Sequence, residues 1–203
     1  MPPKKSKPSP MQPSAELVRR YTDRFYKSES DKNVEIAIGD FMRHLPANTE
    51  LFAVLAKVCM INDLLVTRLF KPLAMAQHIL SLKIDQPLLQ GSAEIVDKIA
   101  HLTISDSTRC NFSFATKYCA SHSPGNYPIS DTNVHQLLLA YRDKDKFSKF
   151  AEADLRQYPK FKVIVISFRQ YYGLTGFSFR ELDHFLWGYG KELFSATHTG
   201  RNK

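Results

Sequence analysis

Apolar residues recur at helical spacing along most of the chain, and proline and glycine punctuate them. From Ser14, Leu17, Val18, Tyr21 and Phe25 mark one side of a first helix while Arg19, Arg20 and Arg24 face elsewhere. The polar run Lys27 to Asn33 predicts a loop, and a second helix is expected from Val34 to His44, before Pro46. Leu51, Phe52, Val54, Leu55, Val58, Cys59, Ile61 and Leu65 cover more than one helix face, which predicts a central core helix. Asn62-Asp63 interrupts this run, and the apolar pattern goes on toward Pro72. Further helices are expected over Pro72–Leu82 and from Ser92 through Leu102, separated by a loop over Ile84–Gln90.

The second half repeats the pattern. Thr103 to Arg109 is polar and predicts an exposed connection. Phe112, Phe114, Ala115, Tyr118 and Cys119 predict a helix to Ser121, which Ser123-Pro124-Gly125-Asn126 ends. Tyr127 precedes a proline and is driven into an extended path. Asp131 then stands at the start of a helix whose inner side is Val134, Leu137, Leu138 and Tyr141. A helical pattern over Phe147–Tyr158 meets Pro159, and the β-branched run Phe161–Phe168 is assigned to a helix because no second convincing strand exists to pair it. Ser178 and Glu181 form a Ser-x-x-Glu capping box ahead of a closing helix with Leu182, Phe185, Leu186, Tyr189 and Leu193 inside and Trp187 off that stripe.

These elements predict one compact, all-α domain over residues 14–197, with a flexible basic arm at 1–13 and a flexible tail at 198–203. The 203-residue chain carries a formal charge of +8, of which Lys4, Lys5, Lys7, Arg201 and Lys203 lie in the arm and tail; the body is left at +3. That is compatible with nucleic acid as a partner without demanding it. Cys59, Cys110 and Cys119 fall in no ligand spacing and are expected to be reduced, packed thiols in a cytoplasmic protein. No metal constellation, cofactor motif, phosphate loop or membrane-spanning run is present, so neither cofactor nor metal nor membrane is expected. Nothing in the sequence requires more than a monomer.

The segment Tyr127-Pro128-Ile129-Ser130-Asp131-Thr132-Asn133-Val134 resembles the proline-hydrophobic-x-Asp-Thr-x-Val segment that carries the catalytic aspartate of helix-hairpin-helix DNA glycosylases. Phe114-Ala115-Thr116-Lys117 sits where that family has its DNA-binding hairpin and, in bifunctional members, a lysine nucleophile. The resemblance is confined to Phe112–Val134, and the family's glycine-rich hairpin has no counterpart, since no glycine occurs between Gly91 and Gly125.

This resemblance to a divergent member implies a monofunctional enzyme that binds double-stranded DNA, everts a damaged or modified base and hydrolyses its N-glycosidic bond. Asp131 would be the catalytic carboxylate, ionised at a helix N-terminus and stabilising charge that builds on the sugar. Ser113, Thr116 and Lys117 would meet phosphate near a helix N-terminus. Lys117 as an attacking amine, giving lyase activity, ranks second to that contact. The turn after the core helix would fill the gap left by the everted nucleotide, through Met60, Ile61 or Asn62, while the residues themselves favour a helix kink around a buried polar pair. His122, Tyr127 and Trp187 would line a base pocket, structural packing being the role that ranks first for each on its own residue pattern, and His135 would orient Asp131 or face solvent. The expected role is DNA repair near the nucleoid or, for a hypermodified phage cytosine, defence. Two other classes fit the same pattern: a non-catalytic DNA-binding module in which Asp131 only caps its helix, and a helical scaffold for another protein.

Overall fold

The computed structural model describes residues 9–195. It is mostly helical with one two-stranded sheet. The first helices are α1 (Ala15–Lys27), α2 (Glu29–His44), α3 (Leu51–Leu64), α4 (Pro72–Leu82), a short α5 (Asp85–Leu89) and α6 (Glu94–Ala100). After strands β1 (His101–Ile104) and β2 (Ser107–Cys110) follow α7 (Phe112–His122), α8 (Thr132–Asp145), α9 (Tyr158–Tyr171) and α10 (Phe179–Ser195). Among the described residues no helix is long and apolar enough to cross a membrane.

Local signals place the helix starts. Ser14 Oγ accepts the Leu17 amide at 3.2 Å, and Ser178 and Glu181 close the expected box, with Ser178 N to Glu181 Oε2 at 2.8 Å and Glu181 N to Ser178 Oγ at 3.2 Å. The Phe161–Phe168 run is helical and buries Phe161, Ile164, Val165 and Phe168.

Several expectations are corrected. The loop at Lys27–Asn33 shrinks to Ser28, whose hydroxyl caps α2 by accepting the Asp31 amide, so the polar run is the exposed first turn of α2. The exposed connection before α7 is an antiparallel hairpin pairing His101 with Cys110 and Ile104 with Ser107, so the fold is not purely α-helical. Phe147–Tyr158 is coil and a short 3-10 turn, because Pro159 starts α9 rather than ending a helix before it. Helix α3 is one-sided, burying Val54, Val58 and Ile61 while Leu51, Phe52 and Leu64 stay exposed. Cys59 and Cys110 are exposed; only Cys119 is a packed thiol.

The arm is also shorter than expected. Met11 is held at both ends, its amide donating to Tyr189 Oη and its carbonyl accepting Tyr141 Oη, each at 2.8 Å. Lys144 Nζ donates to the Pro10 carbonyl at 2.7 Å, and Pro10 and Pro13 are buried. Residues 1–8 of the arm and the tail at 198–203 lie outside the described residues.

Two contacts set the frame of the site. Lys57, buried in α3, donates to the Leu45 and Ala47 carbonyls and to Asn48 Oδ1, and so pins the connection between α2 and α3. Burial lowers Lys57 to about 8. Gly190 brings α10 against the first turn of α8: a Cβ there would stand 2.7 Å from the Asn133 carbonyl oxygen.

Candidate functional site

Asp131 is the N-cap of α8, with φ −143° and ψ 158°, and its Oδ1 accepts the Asn133 amide at 2.9 Å. The carboxylate is only partly buried, and among the described residues Oδ2 takes no hydrogen bond. It therefore caps its helix through one oxygen only.

Helix α7 holds Lys117 nearby. The Thr116 hydroxyl donates to the Ser113 carbonyl at 3.1 Å and accepts the Ser130 amide at 3.3 Å, which ties α7 to the residue before Asp131. One residue on, the Lys117 ammonium donates to the Leu65 carbonyl at 2.9 Å. Burial lowers the Lys117 pKa, and the charges of Asp131 and Asp183 oppose that shift.

Asp183, on α10, is a second carboxylate whose charge acts on Lys117. Its side chain is 12% exposed, and its Oδ2 accepts Arg180 Nη1 at 3.1 Å. Burial raises Asp183 to about 6 against the pull of Arg180, and Asp131 adds to the rise. Arg180 also clamps Glu35 of α2 through Nη2 at 2.6 Å and Nε at 3.0 Å, and His184 Nε2 meets the same Glu35 oxygen at 3.0 Å. Burial would push Glu35 up, yet the bonds from His184 and Arg180 outweigh it and hold this carboxyl at about 2.

Beside this charged cluster runs a groove of about 430 Å³, lined among others by Tyr26, Glu35, Arg43, Leu65, Ser121, Ile129 and Arg180. That volume falls within the roughly 300–1,000 Å³ of small-ligand sites. Leu65, whose carbonyl holds Lys117, forms part of its wall. Oε1 of Glu35 accepts only Tyr26 Oη, at 3.1 Å, among the described residues.

Above Leu65 the turn between α3 and α4 is unusual. Val66 and Arg68 both have positive φ, 49° and 59°, a costly conformation for a β-branched valine. Asn62 stabilises the turn: its Oδ1 accepts Thr67 Oγ1 and the Leu69 amide, both at 2.7 Å, and its Nδ2 donates to the Leu69 carbonyl at 3.2 Å. The turn holds Val66 69% exposed and Phe70 82% exposed, with the Arg109 guanidinium of β2 5.8 Å from the Phe70 ring centroid.

Lys117 and Asp131 thus come within range of each other's charge without forming a salt bridge among the described residues, and Ser113 stays partly exposed in the first turn of α7. Other expected site residues are placed elsewhere. Thr116 is buried with its hydroxyl engaged, so it offers nothing to phosphate. Asn62 is spent on its own turn, Ile61 is buried in the core and Met60 is packed against it. Tyr127 is buried, and its hydroxyl has the backbone carbonyls of Leu88, Ser92 and Pro87 as acceptors within 3.1–3.3 Å, which anchors the α5–α6 region. His122 packs on Tyr118, and burial with Lys57 nearby lowers it to about 3, on the side of the Lys57 network. Trp187 lines a different groove, between α1 and α10, under Lys191. His135 Nε2 pairs with Ser130 Oγ at 2.7 Å, one residue from Asp131. Among the described residues no group of His, Cys, Asp and Glu forms a metal-binding cluster.

Glu35, Arg180 and Asp183 were missed in the sequence. The available signal was Arg180-x-x-Asp183-His184, charges three and four residues apart within the otherwise apolar stripe of the closing helix.

Residues 17–126 match the family model described as "HI_0787_N: N-terminal domain". The chain belongs to this family. An uncharacterized protein of Haemophilus influenzae is 37% identical over 162 residues, 78% of each chain. No solved structure matches. The family match runs from α1 past α7, so it contains Glu35, Val66 and Lys117 and ends before Asp131, Arg180 and Asp183.

Proposed function

We propose that the protein is a DNA glycosylase that everts a damaged or modified base and breaks its N-glycosidic bond. What supports this reading is that the Asp131 carboxylate, with one oxygen free of hydrogen bonds among the described residues, lies within electrostatic reach of the Lys117 amine, and that Leu65, which holds this amine, walls a groove of nucleotide-accommodating size. As that bond breaks, positive charge builds on the deoxyribose, which the free oxygen of Asp131 is suited to stabilise. Lys117 is half-buried, has a lowered pKa and is held by a carbonyl, which favours a reacting amine over a phosphate contact and reverses the sequence-based ranking. The residue that enters the duplex in this reading moves from Asn62 to Val66, in the turn that the Asn62 side chain holds through Thr67 and Leu69.

The test is excision from duplexes that each carry one candidate base, hypermodified cytosine included, followed by alkaline cleavage at abasic sites. Asp131→Asn should lower the rate about 10²–10³-fold, the scale of losing a pre-organised stabilising group. Undiminished excision in that variant removes Asp131 from the mechanism. Salt-dependent duplex binding without excision of any base would leave a DNA-binding module, and no DNA affinity at low salt would leave a scaffold.

A further inference from the structure

We propose that the groove bounded by α2, the end of α7 and the start of α10 selects a base carrying an exocyclic amino group, which donates to Glu35 Oε1 and to the Tyr26 hydroxyl oxygen. The inference rests on the glycosylase reading and names the class of base which that reading leaves open: an amino-bearing one, of cytosine, adenine or guanine type, rather than thymine or uracil.

Glu35 stands in the groove wall with its side chain 23% exposed. Its two oxygens are used unequally. Oε2 meets three donors, Arg180 Nη2 at 2.6 Å, Arg180 Nε at 3.0 Å and His184 Nε2 at 3.0 Å. Oε1 accepts the Tyr26 hydroxyl at 3.1 Å and no other donor among the described residues, so acceptor capacity is left on it. Tyr26 also lines the groove, and its ring stands edge-on to His184 with 5.4 Å between centroids, which fixes the hydroxyl. Having given its proton to Glu35, Tyr26 Oη can only accept. Two acceptor oxygens 3.1 Å apart therefore sit on groove-lining side chains, and an amino nitrogen about 2.9 Å from both could give one hydrogen to each.

The cations beside the groove do not turn it into an anion site. Arg180 spends Nε and Nη2 on Glu35 and Nη1 on Asp183, and Arg43 is paired with Asp40. Against the upward push of burial, the bonds from His184 and Arg180 hold Glu35 at about 2, so at neutral pH its carboxylate accepts and never donates. Ile36, Leu65, Ala120 and Ile129 supply apolar wall for a flat ring. A hypermodified cytosine keeps its amino group, whereas thymine and uracil carry a carbonyl oxygen at that position. That oxygen would set an acceptor against two acceptors and leave all three unpaired, which is the effective way for a polar site to reject an analogue.

The experiment is a backbone-amide NMR titration of the full-length protein with deoxycytidine and with deoxyuridine, up to about 10 mM, a range that covers weak ligands of this size. Deoxycytidine should shift the Glu35, Gly39 and Ser121 signals saturably, and deoxyuridine should bind at least about tenfold more weakly. In Glu35→Gln the preference should shrink to about threefold or less, because an amide can turn either its oxygen or its nitrogen to the ligand. Equal affinities in the wild type, no binding of either nucleoside, or an undiminished preference in Glu35→Gln overturns the proposal.

Should Glu35→Gln fail to fold, Gly39→Leu decides. Gly39 lines the groove, and an added Cβ meets only the far end of the Arg43 side chain, at 3.4 Å, so the larger residue fills the groove while the bonds of Glu35 stay in place. Deoxycytidine binding should be lost in that variant, and undiminished binding places the nucleoside elsewhere and overturns the proposal. Excision assays report separately on the glycosylase reading. No excision of any base, with the preference for deoxycytidine intact, would sink that reading and leave the amino selectivity standing; excision alongside equal nucleoside affinities would sink this inference alone.

Discussion

The Lys117 ammonium donates to the Leu65 carbonyl at 2.9 Å, a bond that joins α7 to the turn between α3 and α4 across 52 positions of sequence. It links the amine proposed to react to the residue next to Val66, so the proposed wedge and the proposed nucleophile share one anchor. Replacing Lys117 by methionine should separate chemistry from stability. Methionine keeps the length of the side chain but leaves the Leu65 carbonyl without its donor, a loss of about 1–3 kcal/mol, so the melting temperature should fall only modestly while borohydride trapping disappears. A large fall in melting temperature would make Lys117 a structural residue.

Val66 tests whether the strain in the turn serves binding. A left-handed conformation costs a β-branched residue about 1–2 kcal/mol, and glycine escapes that cost while giving up roughly 0.5–1 kcal/mol of chain entropy. Val66→Gly should therefore leave thermal stability unchanged or slightly raised. Its affinity for a duplex containing an abasic site should fall at least about fivefold, a loss of roughly 1 kcal/mol. Equal affinities in a fluorescence-anisotropy titration would mean that the side chain does not enter the duplex.

Gly190 controls the seat of Asp131. An added Cβ would meet the Asn133 carbonyl oxygen at 2.7 Å, and that atom is backbone in the first turn of α8. Gly190→Ala should cost about 1–3 kcal/mol, the usual range for overpacking. Gly125→Ala is the control, because its Cβ would meet nothing within 4 Å. Urea unfolding of both variants checks the contrast, and equal midpoints would show that α10 can move away freely.

Glu35 and Asp183 lie at opposite ends of the Arg180 guanidinium and should give stability opposite pH dependences. The folded-state pKa of Glu35 is depressed from 4.5 to about 2, so its contribution is present above 4.5 and is lost as pH falls through 2. The deficit of Glu35→Gln should thus be largest at neutral pH and shrink in that acid window. Asp183 is raised from 3.8 to about 6, so its contribution is present below 3.8 and is lost as pH rises through 6. Asp183→Asn should gain on the wild type between those values. Denaturant unfolding across the two windows measures both trends, and parallel curves for either variant would contradict the corresponding assignment.

The helix boundaries that rest on local chemistry were legible in the chain. Ser14, the Ser178–Glu181 box, Asp131 as a cap and the apolar spacing of α7, α8 and α10 depend on residues three or four apart, and those distances are set by the helix itself. The β-hairpin was not legible, because His101–Cys110 buries little and carries almost no apolar alternation. Residue type made Thr116, Asn62 and Tyr127 look functional; what a hydroxyl or amide does is decided by the backbone group that arrives opposite it, and here those groups come from Ser130, Leu69 and Leu88.

By itself, then, the sequence determined a chain of amphipathic helices and an aspartate at the head of one of them. Only the tertiary structure decided that Lys117 and Asp183 would share that aspartate's surroundings, that Glu35 would fix Arg180, and that Val66 would be held outward. Those relationships join positions dozens of residues apart, and they exist because apolar burial packs α2, α7, α8 and α10 together and strips water from the charges caught between them.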